Sequence, residues 1–414
     1  MEFSRKTYLD RLIEQKHNGL VKILTGIHGC GKSYLLRKLF RDYLIKSGVD
    51  PDHICVYEFP RSSDRSMCSP DVFFADLKKR LPETGRCYLL LDDVEYLSDA
   101  AQVLNSLNCE DHLDVYVTGS HASGSATDVS TVFRGRGDVV YVFPLSLPNL
   151  CPALTVVFTR RGRNIPATAE CRRWSPWSRK KRRGPGSRAF SRTRVRPTWL
   201  VSMVSERLVN LRPSSVSWLL AWENSLIRHR SQSNPQKGAA VTVNTVGCYL
   251  KQLEDAFLIT SARRYDIKRK RRFGSPVKFF FDDVGLCGVA RGFDTTPNQA
   301  VLENVVFTEL RMRGYEVELG SVLKRKVRNG RSLAEQLEVS FVTNRLSRRL
   351  YVQVADESSG EFGVRAQKAA LMAIRDSFKK IIVLGRPIVP AYDEEGIFYV
   401  GFLDFLLKPE MLLW

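Results

Sequence analysis

Gly26-Ile27-His28-Gly29-Cys30-Gly31-Lys32-Ser33 is the stretch on which the reading of this chain turns. Its spacing is G-x-x-x-x-G-K-[ST], and it stands between the apolar run Leu20 to Thr25 and a helix-like stretch from Tyr34 to Ser47. A strand, a glycine-rich turn and a helix in that order form the setting in which this spacing cradles phosphate. Glycines let successive N–H groups turn inward, and the helix presents its positive end to the same anion. The candidate nucleotide-binding residues are therefore Gly26, Gly29, Cys30, Gly31, Lys32, Ser33 and Tyr34. Lys32 reaches toward the β and γ phosphates, and the Ser33 hydroxyl suits Mg²⁺, a hard ion that takes few protein ligands.

Outward from that stretch, strand and helix signals alternate through residue 146. His53 to Phe59 reads as a strand, Pro70 to Leu81 as a helix with Phe73, Phe74, Leu77 and Leu81 on one face, and Cys87 to Leu91 as an apolar strand. A helix over Ser98 to Leu107, with Ser98 as cap, and strands at Leu113 to Thr118 and Val139 to Phe143 complete the set. Strands separated by helices imply an α/β fold, a mostly parallel sheet with helices on both faces.

Tyr88-Leu89-Leu90-Leu91-Asp92-Asp93 is a buried strand ending in two acids. After a phosphate loop, that pattern suits Asp92 to hold Mg²⁺, usually through water, and Asp93 to orient or deprotonate the attacking water. Val115 to His121 ends another strand in small polar groups, so Ser120 or His121 is placed to sense the γ phosphate if the strand ends converge. Arg134 and Arg136, in F-R-G-R-G-D, are candidates to neutralise phosphate charge in this chain or across a subunit boundary, and Arg136 is the preferred one.

The chain has 414 residues and a net charge of +20, unevenly spread. Residues 151–230 hold 18 Lys and Arg against three Glu, a net of +15 that leaves +5 for the remainder. This window also carries five of the six tryptophans and no Asp. Three readings stand beside one another: a spacer unable to bury a core, a basic arm that stacks Trp on single-stranded nucleic acid, and a reading-frame excursion in GC-rich coding DNA. The basic pI therefore says little about how the folded parts meet nucleic acid. Nine scattered cysteines without C-x-x-C spacing read as reduced thiols rather than a zinc or disulfide framework. No membrane-length apolar run or cleavable leader is evident, which predicts a soluble, cytoplasmic protein.

From Ala239 ordinary patterning resumes. Val241 to Leu258 has helical spacing with Thr242 or Asn244 as cap, and strands at Ile259 to Tyr265 and Val277 to Phe281 flank the basic turn Lys268 to Arg272. That order is similar to a winged helix. A helix over Asn298 to Arg313 and strands at 315–319, 337–342, 350–355 and 380–384 predict a separate α/β domain. The expected division is 1–146, 147–238, 239–292 and 293–414.

The stretches L-V-K-I-L-T-G, G-K-S, L-L-L-D-D, V-Y-V-T-G-S, G-R-G-D-V-V-Y-V-F-P-L-S, Y-L-K-Q-L-E-D-A-F-L and E-N-V-V-F-T-E-L-R-M-R-G-Y-E-V, in that order, resemble a family of prokaryotic P-loop ATPases of the AAA+ superfamily. The resemblance covers roughly residues 1–146 and 239–407. It implies an ATPase domain, a winged helix and a C-terminal domain related in fold to restriction endonucleases. It also implies ATP and Mg²⁺ as ligands, with DNA or a protein as partner, no membrane, and a homo-oligomer as one arrangement. Departures matter: the family usually has Glu where Asp93 stands and Arg near His28 and Gly29. It also reads E-V-D-F where this chain has Glu338-Val339-Ser340-Phe341. With Ser340 in place of the acid and Gln353 where Lys is usual, Glu303 has no second carboxylate to share a metal, which argues against nuclease chemistry. The expected activity is Mg²⁺-dependent ATP hydrolysis. A nucleotide-gated binding module with negligible turnover, or a frameshifted product without function, are the alternatives.

Overall fold

The computed structural model describes residues 5–59, 66–82, 84–119, 137–144, 243–283, 299–328, 331–356 and 360–412. Ser120, His121, Arg134, Arg136 and the Arg-rich window lie outside the described residues. Two units emerge. Described residues up to 144 form the first together with 243–258, and those from 259 onward form the second.

In the first unit, α1 (Lys6–Glu14) leads to β1 (Val21–Thr25), whose five residues are all buried. The glycine loop feeds α2 (Lys32–Tyr34), a π-helical stretch (Leu35–Phe40) and α3 (Arg41–Lys46), so the helix expected from Tyr34 starts earlier and widens over its middle. Then come β2 (Ile54–Glu58), α4 (Pro70–Arg80), β3 (Cys87–Asp92), α5 (Ala100–Asn108), β4 (Leu113–Thr118), β5 (Gly137–Tyr141) and α6 (Val243–Asp255). The strands form one sheet in the order β2-β3-β4-β1-β5, with every pairing parallel. All six residues of β3 are buried, as expected of a strand covered on both faces.

Two expected caps are corrected. Ser98 does not cap α5: its N–H bonds Cys68 O, and Asp99, left-handed at φ 49°, precedes the helix without a side-chain cap bond. Asn244 lies inside α6 rather than ahead of it, and Thr242 falls outside the described residues.

At the N-terminal ends of the strands a polar cluster is sealed into the sheet. Lys22, fully buried, pairs with Asp114, which also accepts from the Tyr116 hydroxyl at 3.1 Å and the His17 N–H at 3.2 Å. Burial pushes the Tyr116 phenol up and the His17 imidazole down. A buried charge is tolerated only when paired and hydrogen-bonded, and here four residues from β1, β4 and the segment before β1 meet those terms.

The second unit is an eight-stranded mixed sheet ordered β12-β13-β11-β10-β9-β8-β6-β7. Its strands are β6 (Ile259–Asp266), β7 (Arg271–Phe281), β8 (Glu316–Arg328), β9 (Arg331–Arg345), β10 (Arg348–Ala355), β11 (Lys379–Leu384), β12 (Ala391–Tyr392) and β13 (Ile397–Gly401). Helices α7 (Gln299–Met312), α8 (Gly360–Met372) and α9 (Phe402–Leu407) accompany them. The helix and hairpin read in sequence as one winged-helix segment fall in different units: α6 goes with the first, while β6 pairs in parallel with β8 in the second. Among the described residues no helix is long and apolar enough to cross a membrane, and no disulfide forms.

Asp114→Ala strands the Lys22 ammonium in the first unit's interior. The expected cost is about 3–5 kcal/mol, read as a lowered urea midpoint of the first unit's transition; an unchanged midpoint contradicts this account of the cluster.

Candidate nucleotide site

Register places the site. Leu24 on β1 stands beside Thr118 on β4, Leu91 beside Val117, and Glu58 on β2 beside Asp92. The C-terminal ends of four parallel strands therefore lie in one row, with β1 between β4 and β5, its chain neighbours in neither direction. Such a switch of connection opens a crevice beyond the strand ends.

The glycine loop starts there, pinned from both sides. The Gly119 N–H bonds Leu24 O at 3.1 Å, and the Val142 N–H bonds Thr25 O at 2.7 Å. Gly26 has φ +140°, and a Cβ built on it would sit 2.3 Å from Val142 O, so no side chain fits. Gly29 and Gly31 are left-handed at φ 82° and 96°, with open space around a Cβ at Gly29. The loop crest can thus approach a ligand with bare main chain. Gly31 precedes the helix, whose first Leu35 N–H bonds Gly31 O at 3.0 Å.

Lys32 is buried, and its Nζ donates to Gly26 O at 2.9 Å and Ile27 O at 3.1 Å. Among the described residues the ammonium is held by neutral loop carbonyls alone, which leaves its charge available to an anion. Cys30 is buried and burial pushes its thiol up, so it contributes main chain rather than a thiolate.

Opposite the loop, the buried Asp92 carboxylate accepts from the Thr118 hydroxyl at 2.5 Å and from Arg37 Nη1 at 3.3 Å. The Thr118 oxygen in turn accepts the Asp93 N–H at 2.8 Å. Asp93 is left-handed, φ 55°, a conformation that Asp adopts more readily than most residues. Arg37, five residues after Lys32 on the π-helical stretch, also pairs with Glu58.

Arg5, just ahead of α1, was missed in sequence and packs against the loop. Its guanidinium, 3 % exposed, donates to Phe143 O at 2.7 Å and to Cys30 O. Burial lowers its pKa. One turn later the Tyr8 hydroxyl accepts the Phe143 N–H at 3.2 Å, its phenol pushed up to about 12 by burial. Of the sequence-predicted site residues, the structure brings together Gly26 to Tyr34 with Asp92 and Asp93. It describes neither Ser120 nor Arg136. Thr118 and Arg37 were missed as well; a threonine at the strand end beside two acids was the available signal.

Residues 18–151 match a family described as an AAA domain. This segment is thus similar to AAA domains. The whole chain is 25% identical over 422 residues to an uncharacterized protein of Haemophilus influenzae, covering 98% of each. Among solved structures, C. elegans PCH-2 is 22% identical with a TM-score of 0.25, covering 34% of this chain and 41% of its own. A DNA polymerase III gamma subunit-related protein of Thermotoga maritima is 13% identical with a TM-score of 0.26, covering 38% and 49%. AMPPCP-bound DnaA of Aquifex aeolicus is 15% identical with a TM-score of 0.22, covering 51% and 67%. Scores of that size leave the fold to the strand order and loop geometry above.

In the second unit, Glu303, Ser340 and Gln353 do come together. Glu303 pairs with Lys278, accepts from Gln299 Nε2 at 2.8 Å, and receives the Ser340 hydroxyl at 3.4 Å. The Ser340 N–H donates to Gln353 Oε1 at 2.7 Å. One carboxylate is thus surrounded by an ammonium and neutral groups.

Gly26→Ala must push a methyl into Val142 O. The expected outcome is loss of nucleotide retention by at least about tenfold with far-UV circular dichroism preserved, whereas Gly29→Ala, strained by its φ alone, loses less. Equal losses contradict the close-approach argument.

Proposed function

We propose that the first unit binds ATP with Mg²⁺ and hydrolyses its γ phosphate, and that the second unit holds the macromolecule this turnover serves. The observation that carries the reading is Lys32: a buried ammonium tethered only by loop carbonyls, in a turn that Gly26, Gly29 and Gly31 keep bare. The loop fits a polyphosphate, since its N–H groups and the helix start supply partial positive charge where Lys32 supplies a full one. Ser33 and Asp92 fit Mg²⁺, which keeps several waters and asks for one or two protein oxygens.

When bound, Mg²⁺ would offset charge developing on the phosphate oxygens. Thr118 holds the Asp92 carboxylate in place and fixes the main chain of Asp93. Asp93 then orients the water and takes its proton. Ser120 as γ-phosphate sensor and Arg136 as charge-neutralising group, within the chain or from a second copy, belong to the same proposal. The second unit, in which the hairpin expected of the winged helix joins the expected restriction-endonuclease-like domain in one sheet, serves as a binding element for DNA or a protein. The Glu303 carboxylate, already paired with Lys278, supports binding over cleavage.

A gating reading follows from one residue. Asp93 is a methylene shorter than the Glu expected there, so nucleotide could set a conformation while turnover stays slow.

Binding of a fluorescent ATP analogue with Mg²⁺, together with phosphate release, tests this. Lys32→Ala removes charge-assisted hydrogen bonds of about 1.5–3 kcal/mol, an expected affinity loss of about 10- to 150-fold. Asp93→Asn leaves affinity level and lowers turnover on the order of 10²-fold. A strong rise in turnover with Asp93→Glu favours gating. Folded protein that retains neither ATP nor GTP with Mg²⁺ overturns the assignment.

A further inference from the structure

The second unit carries two basic hairpins at the same end of its sheet. β6 and β7 are joined through Lys268 to Lys270, and the five consecutive cations Lys268 to Arg272 are all exposed. β6 runs parallel to β8, and the Ile267 N–H bonds Ser321 O at 3.0 Å, so this turn lies level with the point where β8 continues past β6. From there β8 and β9 extend alone to the pair Arg328↔Arg331, and this ribbon carries Lys324, Arg325, Lys326, Arg328 and Arg331. From Ser321 to Arg328 is seven residues, about 23 Å, while the four strands side by side span about 14 Å.

The turn is preorganised. Asp266, buried, accepts the Lys268 and Arg269 N–H groups at 3.0 and 2.9 Å, and Lys270 is left-handed at φ 52°. Arg272 pairs with Glu316 and Glu318, and Arg269 approaches Asp266 at 3.9 Å. Lys268, Lys270 and Arg271 have no carboxylate partner among the described residues. Of the neighbouring acids, only Glu335, opposite Lys324, faces the extended ribbon. By sequence the two hairpins hold ten cations against four acids, over a backbone length about that of a dozen phosphate charges on duplex DNA, which carries one per ~1.7 Å.

We propose that these two hairpins form a binding surface for the sugar-phosphate backbone of duplex nucleic acid. It rests on the reading that the second unit holds the partner, and it does not require the first unit to hydrolyse ATP. Neither hairpin tip has the Trp or Tyr on which single strands stack; Phe273 lies beneath Arg271, 5.4 Å from its guanidinium. An acidic protein would be expected to find Trp, Tyr or Met anchors as well, and neither stretch supplies them. Clustered cations without such anchors suit a polymer read by charge rather than by base edges.

The test is fluorescence anisotropy of the full chain with a 20-bp duplex of mixed sequence over a range of NaCl. Log affinity is expected to fall steeply with log salt. Lys268→Ala/Lys270→Ala/Arg271→Ala lowers affinity at least about tenfold and reduces the slope by about two to three, each phosphate contact counting for about 0.9. The corresponding variant keeping charge, Lys268→Arg/Lys270→Arg/Arg271→Lys, retains both. ATP-analogue affinity, measured on the same variants, stays level, so loss of DNA binding and loss of the nucleotide site read out separately. The proposal is overturned if the duplex does not bind. It also fails if the triple variant keeps the full slope while neutralising Arg179 to Arg183 removes it, or if polyglutamate of equal charge displaces the duplex equally well.

Discussion

One hydroxyl holds the nucleotide site together. Thr118, at the last position of β4, donates to Asp92 and accepts from the Asp93 N–H, binding the end of β3 to the end of β4 through side chain and main chain at once. A buried hydrogen bond to a carboxylate contributes about 1.5–3 kcal/mol, but position matters more than energy here. With Thr118 level with Leu24, the ladder between β1 and β4 runs one step further through Gly119, and the glycine loop departs from a point already fixed. Loop, Asp92 and Asp93 are thereby referred to one row of strand ends.

The other side of the loop is held by a cation. Arg5 reaches the carbonyls of Cys30 and Phe143, so α1, the loop and the segment after β5 share one guanidinium. Desolvating an arginine with only neutral acceptors is costly, and Tyr8 adds a hydrogen bond from the same helix to the same Phe143 peptide. Loop and strand end are restrained from the side where β4 cannot reach. Both restraints leave the crest at Gly29 untouched.

This explains what was legible beforehand. β3 reads as an apolar run up to its final Asp92, and β1 and β4 are largely apolar, broken by Lys22 and Asp114 near their starts, so their positions emerged directly, as did the loop between β1 and its helix. Arg5 and Phe143 lie 138 residues apart, and Thr118 and Asp92 lie 26 apart. No local pattern joins residues that distant. The expected caps failed because the helices begin elsewhere: α5 starts at Ala100 behind a left-handed Asp99, and α6 already includes Asn244. In the second unit, β8 and β9 were read as short strands because Lys and Arg interrupt the apolar alternation after Val322, yet backbone pairing continues to Arg328. Strand identity there comes from the partner strand rather than from side-chain periodicity.

Charge is distributed differently in the two sheets, and that difference sets what each can do. Around Asp92 the partners are a hydroxyl and one guanidinium at 3.3 Å, leaving carboxylate lone pairs for a hydrated metal. Around Glu303 an ammonium sits on one oxygen, with Gln299 and Ser340 on the other. The cation that a hydrolytic centre would recruit is there a side chain of the protein itself, and Lys278 cannot activate water as a divalent ion does. Free positive charge in that unit lies instead at the hairpin ends, where Lys268, Lys270 and Arg271 face solvent. A sheet that neutralises its interior acid and exposes cations at one end offers its free charge to an anion without a metal-holding carboxylate beside it, the reverse of the sheet that holds the glycine loop.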